Sequence, residues 1–252
     1  MTPKPRRTQR LLKGTGYLNA FPDEVRDSLL SVASTRFVDR GVVVLRESAP
    51  CSGLFVVVAG LVKLSKISHE GRSQVLRVVQ PGGSFNEVAA LDGGVNPASG
   101  IAVQPSELLV IPGDRLFELL TTSPSVAQGV MQLLAARLRH MAELVEDLSF
   151  RHVSERVARV LLQSIAPHPG VGAGIDTSRR ISQREIAEMV GSSREVVARA
   201  LKSIEDAGAI TRNHGQITII EPRRLAEVSE GLRGDHEQSP TVALPSASAA
   251  RV

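Results

Sequence analysis

Three charged side chains, Arg194, Glu195 and Arg199, stand close together in a segment otherwise patterned for two short helices. Each arginine carries a planar fork of N–H donors that matches the O6 and N7 acceptors of guanine, and a carboxylate can accept from the N4 amino group of cytosine. Such groups at the leading end of one helix have the chemistry of reading base edges in a major groove. The other reading of the same charges is a solvated face, with Glu195 capping its helix and pairing with Arg199 one turn on.

The surrounding spacing favours the first reading. With Gln183 as the first of twenty positions, apolar residues fall at positions four, eight, fifteen and eighteen: Ile186, Val190, Val197 and Ala200. Ala187 stands where two crossing helices leave room only for a small side chain, and Gly191 where the turn calls for positive φ. Ser182 with Glu185 spells a capping box, and Ser192 with Glu195 spells a second. The spacing predicts a helix-turn-helix. Leu201 and Ile204 continue the apolar stripe, Gly208 ends the second helix, and two short apolar runs flank Asn213-His214-Gly215 as a hairpin. That hairpin predicts a wing, with Arg212 and His214 either near phosphates or on an ordinary solvated turn.

The segment ISQREIAEMVGSSREVVARALKSIEDAG resembles the DNA-binding part of the CRP/FNR transcription regulators. The resemblance is carried by Ser193-Arg194-Glu195 followed by Arg199. It extends over about residues 20–225 and is most specific over 181–208. It implies that Arg194, Glu195 and Arg199 read a TGTGA-like half-site, that Ser182 contacts a phosphate, and that double-stranded DNA and RNA polymerase are partners.

Upstream the texture changes. From Arg36 to Pro112 short β-rich runs, among them Leu54–Val58, Leu61–Ile67 and Gln74–Val79, alternate with glycines at 41, 53, 60, 71, 82 and 93. Regular short strands with turn signals predict a barrel or roll. The resemblance names it as the double-stranded β-roll of cyclic-nucleotide-binding domains, with PGGSFNEVAALDGGVNPAS in the place of the phosphate-binding cassette. That cassette departs from the cyclic-AMP pattern. Glu87 remains, but Asn86 replaces the glycine before it, and Pro97 and Ala98 stand where the pattern has arginine and serine. The two adenine-contacting positions of the long helix fall on Met141 and Ala142. Asn86, Glu87, Ser99 and Met141 are the candidate effector pocket. Capping or turn hydrogen bonding is the favoured role for Glu87 and Ser99. Arg77 and Arg137, outside the cassette, are the first candidates for a missing guanidinium.

Between the two halves, Met131, Leu134, Leu138, Met141, Val145 and Leu148 recur in alternating steps of three and four. This a/d seam predicts a dimerisation helix, which suits a protein reading a palindrome. Val130, Leu133 and Leu144 lie beside it for packing on the roll.

Composition agrees with two modest domains. The chain has 252 residues, 42% of them hydrophobic and only 3% aromatic, so its cores must be aliphatic. A net charge of +4 suits a nucleic-acid partner without proving one. No run approaches the roughly 18 apolar residues of a membrane span, and the start shows no signal-peptide pattern, so a cytoplasmic protein is expected. A single cysteine, Cys51, excludes an internal disulfide and a four-cysteine iron–sulfur cluster within one chain. Haem stays open through the histidines at 69, 140, 168, 214 and 236, but isolated histidines at such places are usually solvated or packed. No nucleophile–base pair, metal cluster or phosphate loop with a lysine points to an enzyme.

The expected architecture is α+β: a flexible extension over 1–20, a β-roll over 21–123, a dimerisation helix over 124–149, a winged helix-turn-helix over 150–225 and a disordered tail over 226–252. The expected function is a homodimeric, sequence-specific DNA-binding transcription regulator whose effector is unknown and is not cyclic AMP. The alternative is a ligand-sensing module that acts mainly through a protein partner, with the wing as its docking surface.

Overall fold

Continuous apolar runs in this chain become strands buried on both faces. A computed structural model describes residues 23–165, 181–213 and 216–231. The expected extension over 1–20 and the loop Pro167–Gly174 lie outside these residues, as does His214. Helix α1 (Asp23–Val32) leads into strands β1 (Ser34–Val38), β2 (Val43–Leu45), β3 (Leu54–Ala59), β4 (Val62–Ile67), β5 (Ser73–Val79) and β6 (Ser84–Phe85). Helix α2 (Glu87–Asp92), strands β7 (Ser99–Ala102) and β8 (Ser106–Ile111) and helix α3 (Gly113–Thr122) complete the unit. The strands form two antiparallel sheets, ordered β1-β8-β3-β6 and β2-β7-β4-β5.

Strand β3 shows why the run reads LFVVV. Phe55 and Val57 point between the sheets, with Val44, Val62, Phe85 and Leu108. Leu54, Val56 and Val58 point the other way, into a second cluster with Leu116 of α3 and Val126 and Val130 of the next helix. Both faces are covered, so the period-two alternation disappears from the sequence. Phe55 and Phe85 stack with ring centroids 4.9 Å apart. Gly53 has no alternative, because a Cβ there would collide with the Ile111 carbonyl oxygen and its φ is +128°.

The long helix, α4, spans Pro124–Phe150 and buries Val126, Gly129, Val130 and Leu133. After a break at Arg151, helix α5 (Val153–Ile165) begins the second unit. This unit continues with α6 (Gln183–Val190), α7 (Arg194–Asp206), the wing strands β9 (Ile210–Asn213) and β10 (Gln216–Ile219), and α8 (Pro222–Ser229). Ile186, Val190, Val197, Leu201 and Ile204 meet Val157, Leu161 and Leu225 in one core. The unit therefore runs past the expected boundary at 225. The signal for α8 is a Glu221 N-cap, proline in the first turn and an apolar face of Leu225 and Val228 packed against that core.

The junction between α4 and α5 is clamped by charge. Asp147 Oδ1 accepts from Arg159 Nη1 at 2.8 Å and forms an ion pair with Arg151, whose Nε lies 2.8 Å away. Arg156 Nη1 donates to the carbonyls of Asp147, Leu148 and Arg151, which closes the end of α4. Burial lowers the Arg156 pKa, and nearby Asp147 opposes the shift.

Candidate nucleic-acid interface

The helix-turn-helix forms where the spacing places it. The Ser182 hydroxyl accepts from Glu185 N at 3.2 Å, and the Glu185 carboxylate accepts from Ser182 N at 2.9 Å, completing the first capping box. Gly191 takes φ +64° and closes α6. The second expected box does not form. Ser192 N donates back to the Ala187 carbonyl to finish α6, so Ser193 becomes the N-cap of α7, its hydroxyl accepting from Val196 N at 3.3 Å.

Helix α7 is two-faced. Val197, Ala200, Leu201 and Ile204 are buried, while Ser193, Arg194, Glu195, Arg199 and Lys202 are exposed. The base-reading candidates thus stand together at the solvated N-terminal end. The Glu195 carboxyl is held below its usual range chiefly by hydrogen bonds, from its own backbone N–H and from Ser193. The charges of Arg194 and Arg199 add the smallest part. The cap itself is Ser193, and the Glu195 side chain stays exposed beside it.

Arg212 is the side chain that departs furthest from a phosphate-contact reading. Its Nε and Nη2 donate to Glu205 Oε2 at 2.9 and 2.6 Å, and its backbone N donates to Oε1 at 2.8 Å. The guanidinium is engaged in fixing the wing to α7. This fork lowers the Glu205 pKa.

The cassette candidates occupy the roll. Asn86 is left-handed at φ 68° and donates through Nδ2 to Asn96 Oδ1 at 2.9 Å and to the Gly53 carbonyl at 3.1 Å. The Ser99 hydroxyl accepts from Glu47 N at 3.0 Å. Both are structural contacts. Glu87 is buried and accepts from the Ser84 hydroxyl, while Arg137 Nη2 lies 3.4 Å and Arg77 Nη2 3.9 Å from its Oε1. Both arginines also donate to the Ser84 carbonyl. The guanidinium groups outside the cassette are thus drawn to its buried glutamate. Ala98 is buried, and Met141 lies one turn beyond Arg137, partly exposed.

The α4 seam divides by exposure. Met131, Leu138 and Val145 are 62%, 72% and 62% exposed, with Met141 and Leu148 less so. Leu134 instead packs on the helix-side core of the roll, and Leu148 also reaches the turn at Gly191. Among the described residues no group of histidine, cysteine and carboxylate side chains could hold a metal, and no helix is long and apolar enough to cross a membrane.

Two family models match in tandem: a cyclic nucleotide-binding domain over residues 35–123 and a Crp-like helix-turn-helix domain over 155–228. The chain is 30% identical over 189 residues to the "CRP-like cAMP-activated global transcriptional regulator" of Mycobacterium tuberculosis, covering 74% of this chain and 84% of that one. It is 29% identical over 221 residues to the "Cyclic AMP receptor protein" of Thermus thermophilus, covering 88% of this chain and all of that one (100%). A solved transcriptional regulator of the CRP/FNR family, also from Thermus thermophilus, superposes with a TM-score of 0.61 at 28% identity, covering 78% of this chain and 98% of that one.

Proposed function

The chain belongs to the CRP/FNR family of transcription regulators, and on that premise we propose that it is a homodimer reading a palindromic, TGTGA-like site without cyclic AMP as its effector. DNA-binding regulation is the family's activity. The finer reading rests on one observation: Arg194, Glu195 and Arg199 are exposed together at the N-terminal end of a helix whose opposite face is fully buried. Such a helix is held rigidly while its reading end enters the groove.

Dimerisation through α4 is supported by the exposed apolar stripe of Met131, Leu138 and Val145. Residues seven apart on a straight helix share a face, and water-exposed Leu and Val in that register gain by meeting a second copy. The two reading helices then address two half-sites about one helical turn apart.

The relatives' names speak of cyclic AMP, but this cassette argues against it. Pro97 and Ala98 leave no guanidinium inside it, and Glu87 is already engaged by Arg137 and Arg77. A cyclic nucleotide would have to take Glu87 away from two cations and bring its own anion into their place. Haem is the less favoured effector. His140 Nε2 lies 3.3 Å from the Leu76 carbonyl, a packed rather than an open position. RNA polymerase and the cytoplasm are the corresponding partner and compartment.

Affinity for a duplex bearing two inverted half-sites, measured against salt, tests this reading. The logarithm of affinity should fall with the logarithm of salt by about 0.9 for each phosphate contacted, and a random duplex should bind at least ~1,000-fold more weakly. Equal affinity for both duplexes would refute sequence-specific reading and favour a docking surface for protein. An absorption spectrum of freshly purified protein tests for haem.

A further inference from the structure

Among the described residues, the sensor roll meets the DNA-reading unit at helix α6. Helix α6 and the turn after it lie against the β4–β5 hairpin, and three contacts tie them. Lys63 Nζ donates to Glu188 Oε2 at 2.6 Å, with the two side chains only 21% and 12% exposed. Gln74 Nε2 donates to the Met189 carbonyl at 3.3 Å while also meeting its neighbour's carbonyl. Gly191 sits against Gln74 Oε1 and the end of Leu148, so closely that a Cβ would collide with the first and lie 3.0 Å from the second. The turn between α6 and α7 is therefore the meeting point of the β4–β5 hairpin, the end of α4 and the reading unit.

We propose that the β4–β5 hairpin braces the DNA-reading unit, with Lys63 and Gln74 as positioning residues that set the angle at which α7 meets its half-site. This rests on the dimeric DNA-reading function proposed above. Helices α6 and α7 share one core through Ile186, Val190, Val197 and Leu201, so whatever holds α6 holds α7. Arg194 follows Gly191 by three residues, a short lever. The reading face stays exposed in this arrangement, so the contact presents α7 rather than shielding it. Glu188 also accepts from Arg184 Nε at 3.2 Å, so the brace carboxylate lies between a cation of its own helix and one from the roll. An exposed pair of this kind would contribute little, but this one is largely withdrawn from water. In a two-fold dimer the angle of each α7 fixes the distance between the two reading ends. One base-pair step is only ~3.4 Å along the duplex, so a small swing about Arg151 misses the second half-site.

The test uses the full-length chain and duplexes built from the half-site that the wild-type protein selects out of a random library. One duplex carries a single half-site. Others carry two inverted copies with centres one helical turn apart, or one base pair nearer or further. Lys63→Glu, which sets two carboxylates face to face, should weaken binding to the two-site duplex at least ~10-fold, with single-site binding within about twofold of wild type. The variant should also discriminate less between the three spacings. The swap Lys63→Glu with Glu188→Lys should recover most of the loss, and Gln74→Ala should give a smaller loss in the same direction. Thermal melts run alongside should show folded variants. Equal losses on one-site and two-site duplexes, unchanged two-site binding in a folded Lys63→Glu protein, or no recovery in the swap would each overturn the brace while leaving DNA reading intact. A wild-type protein that selects no half-site would overturn the brace and the function beneath it.

Discussion

Replacing Glu87 by Gln removes one charge from the most buried ionic cluster of the roll. The side chains of Arg77, Glu87 and Arg137 are 7%, 9% and 24% exposed. Breaking a buried ion pair costs about 3–5 kcal/mol when the surviving charge is left alone. Three features reduce that here. The separations of 3.4 and 3.9 Å exceed those of a direct charged hydrogen bond, Arg137 keeps some water, and the Ser84 carbonyl still accepts from both arginines. The glutamine oxygen can also still accept from the Ser84 hydroxyl. An expected cost is about 2 kcal/mol, or roughly 8–16 °C in the melting temperature of a roll of about 100 residues. The double variant Glu87→Leu, Arg77→Met should regain much of this, because an apolar pair of similar volume carries no desolvation cost. Calorimetric titration of the wild-type protein with cyclic AMP should give affinity weaker than about 100 µM, only ~5.5 kcal/mol of binding. An unchanged melting temperature for Glu87→Gln would refute the claim that this carboxylate neutralises the two arginines. Micromolar cyclic AMP affinity together with tighter operator binding would show that the arginines serve a ligand instead.

Arg194→Ala should cost about 1–3 kcal/mol on the specific site and much less on random DNA, and equal losses on both would make Arg194 a phosphate contact. Leu138→Asp sets a charge in the middle of the α4 stripe, so sedimentation should show a monomer that no longer binds two half-sites; a folded dimer would remove α4 from the interface. Glu205 is held below its usual range by Arg212, so its contribution to wing docking is complete at neutral pH, above its unfolded pKa. That contribution is lost only as pH falls through the depressed folded value, and Arg212→Ala should return the carboxyl titration to the ordinary range by NMR.

The parts of the fold that were legible are those in which local chemistry and burial agree. Ile186, Ala187, Val190, Val197 and Ala200 each have one placement in a helix-turn-helix, and all five are buried there. The β3 run was legible because two cores claim alternate residues of one strand. Strands β6 and β7 were not, because Ser84-Phe85 and Ser99–Ala102 are too short to show a period and are strands only through their partners, β3 for one and β2 and β4 for the other. The second capping box failed for a similar reason. Ser192 and Ser193 are equivalent to the pattern, and the backbone bond from Ser192 to Ala187 decides which one caps.

Pairing across the chain was the least legible of all. Glu195 and Arg199 could be singled out because a spacing of four residues puts them on one side of α7 without reference to anything else. Arg212 could not be read, since nothing in the wing says that Glu205, seven residues earlier, would take its guanidinium. Lys63 and Glu188 are 125 residues apart, and each looks like an ordinary solvated charge in its own segment. Arg77 and Arg137 are the instructive intermediate. The absence of arginine from the cassette makes a guanidinium from elsewhere worth looking for, but only the fold shows that both converge on Glu87. A carboxylate has to be neutralised when buried, and here β5 and α4 supply the charge. The same contacts tie the long helix to the cassette before any ligand arrives. On the reading proposed above, an effector that sought Glu87 would have to compete with Arg77 and Arg137 for it.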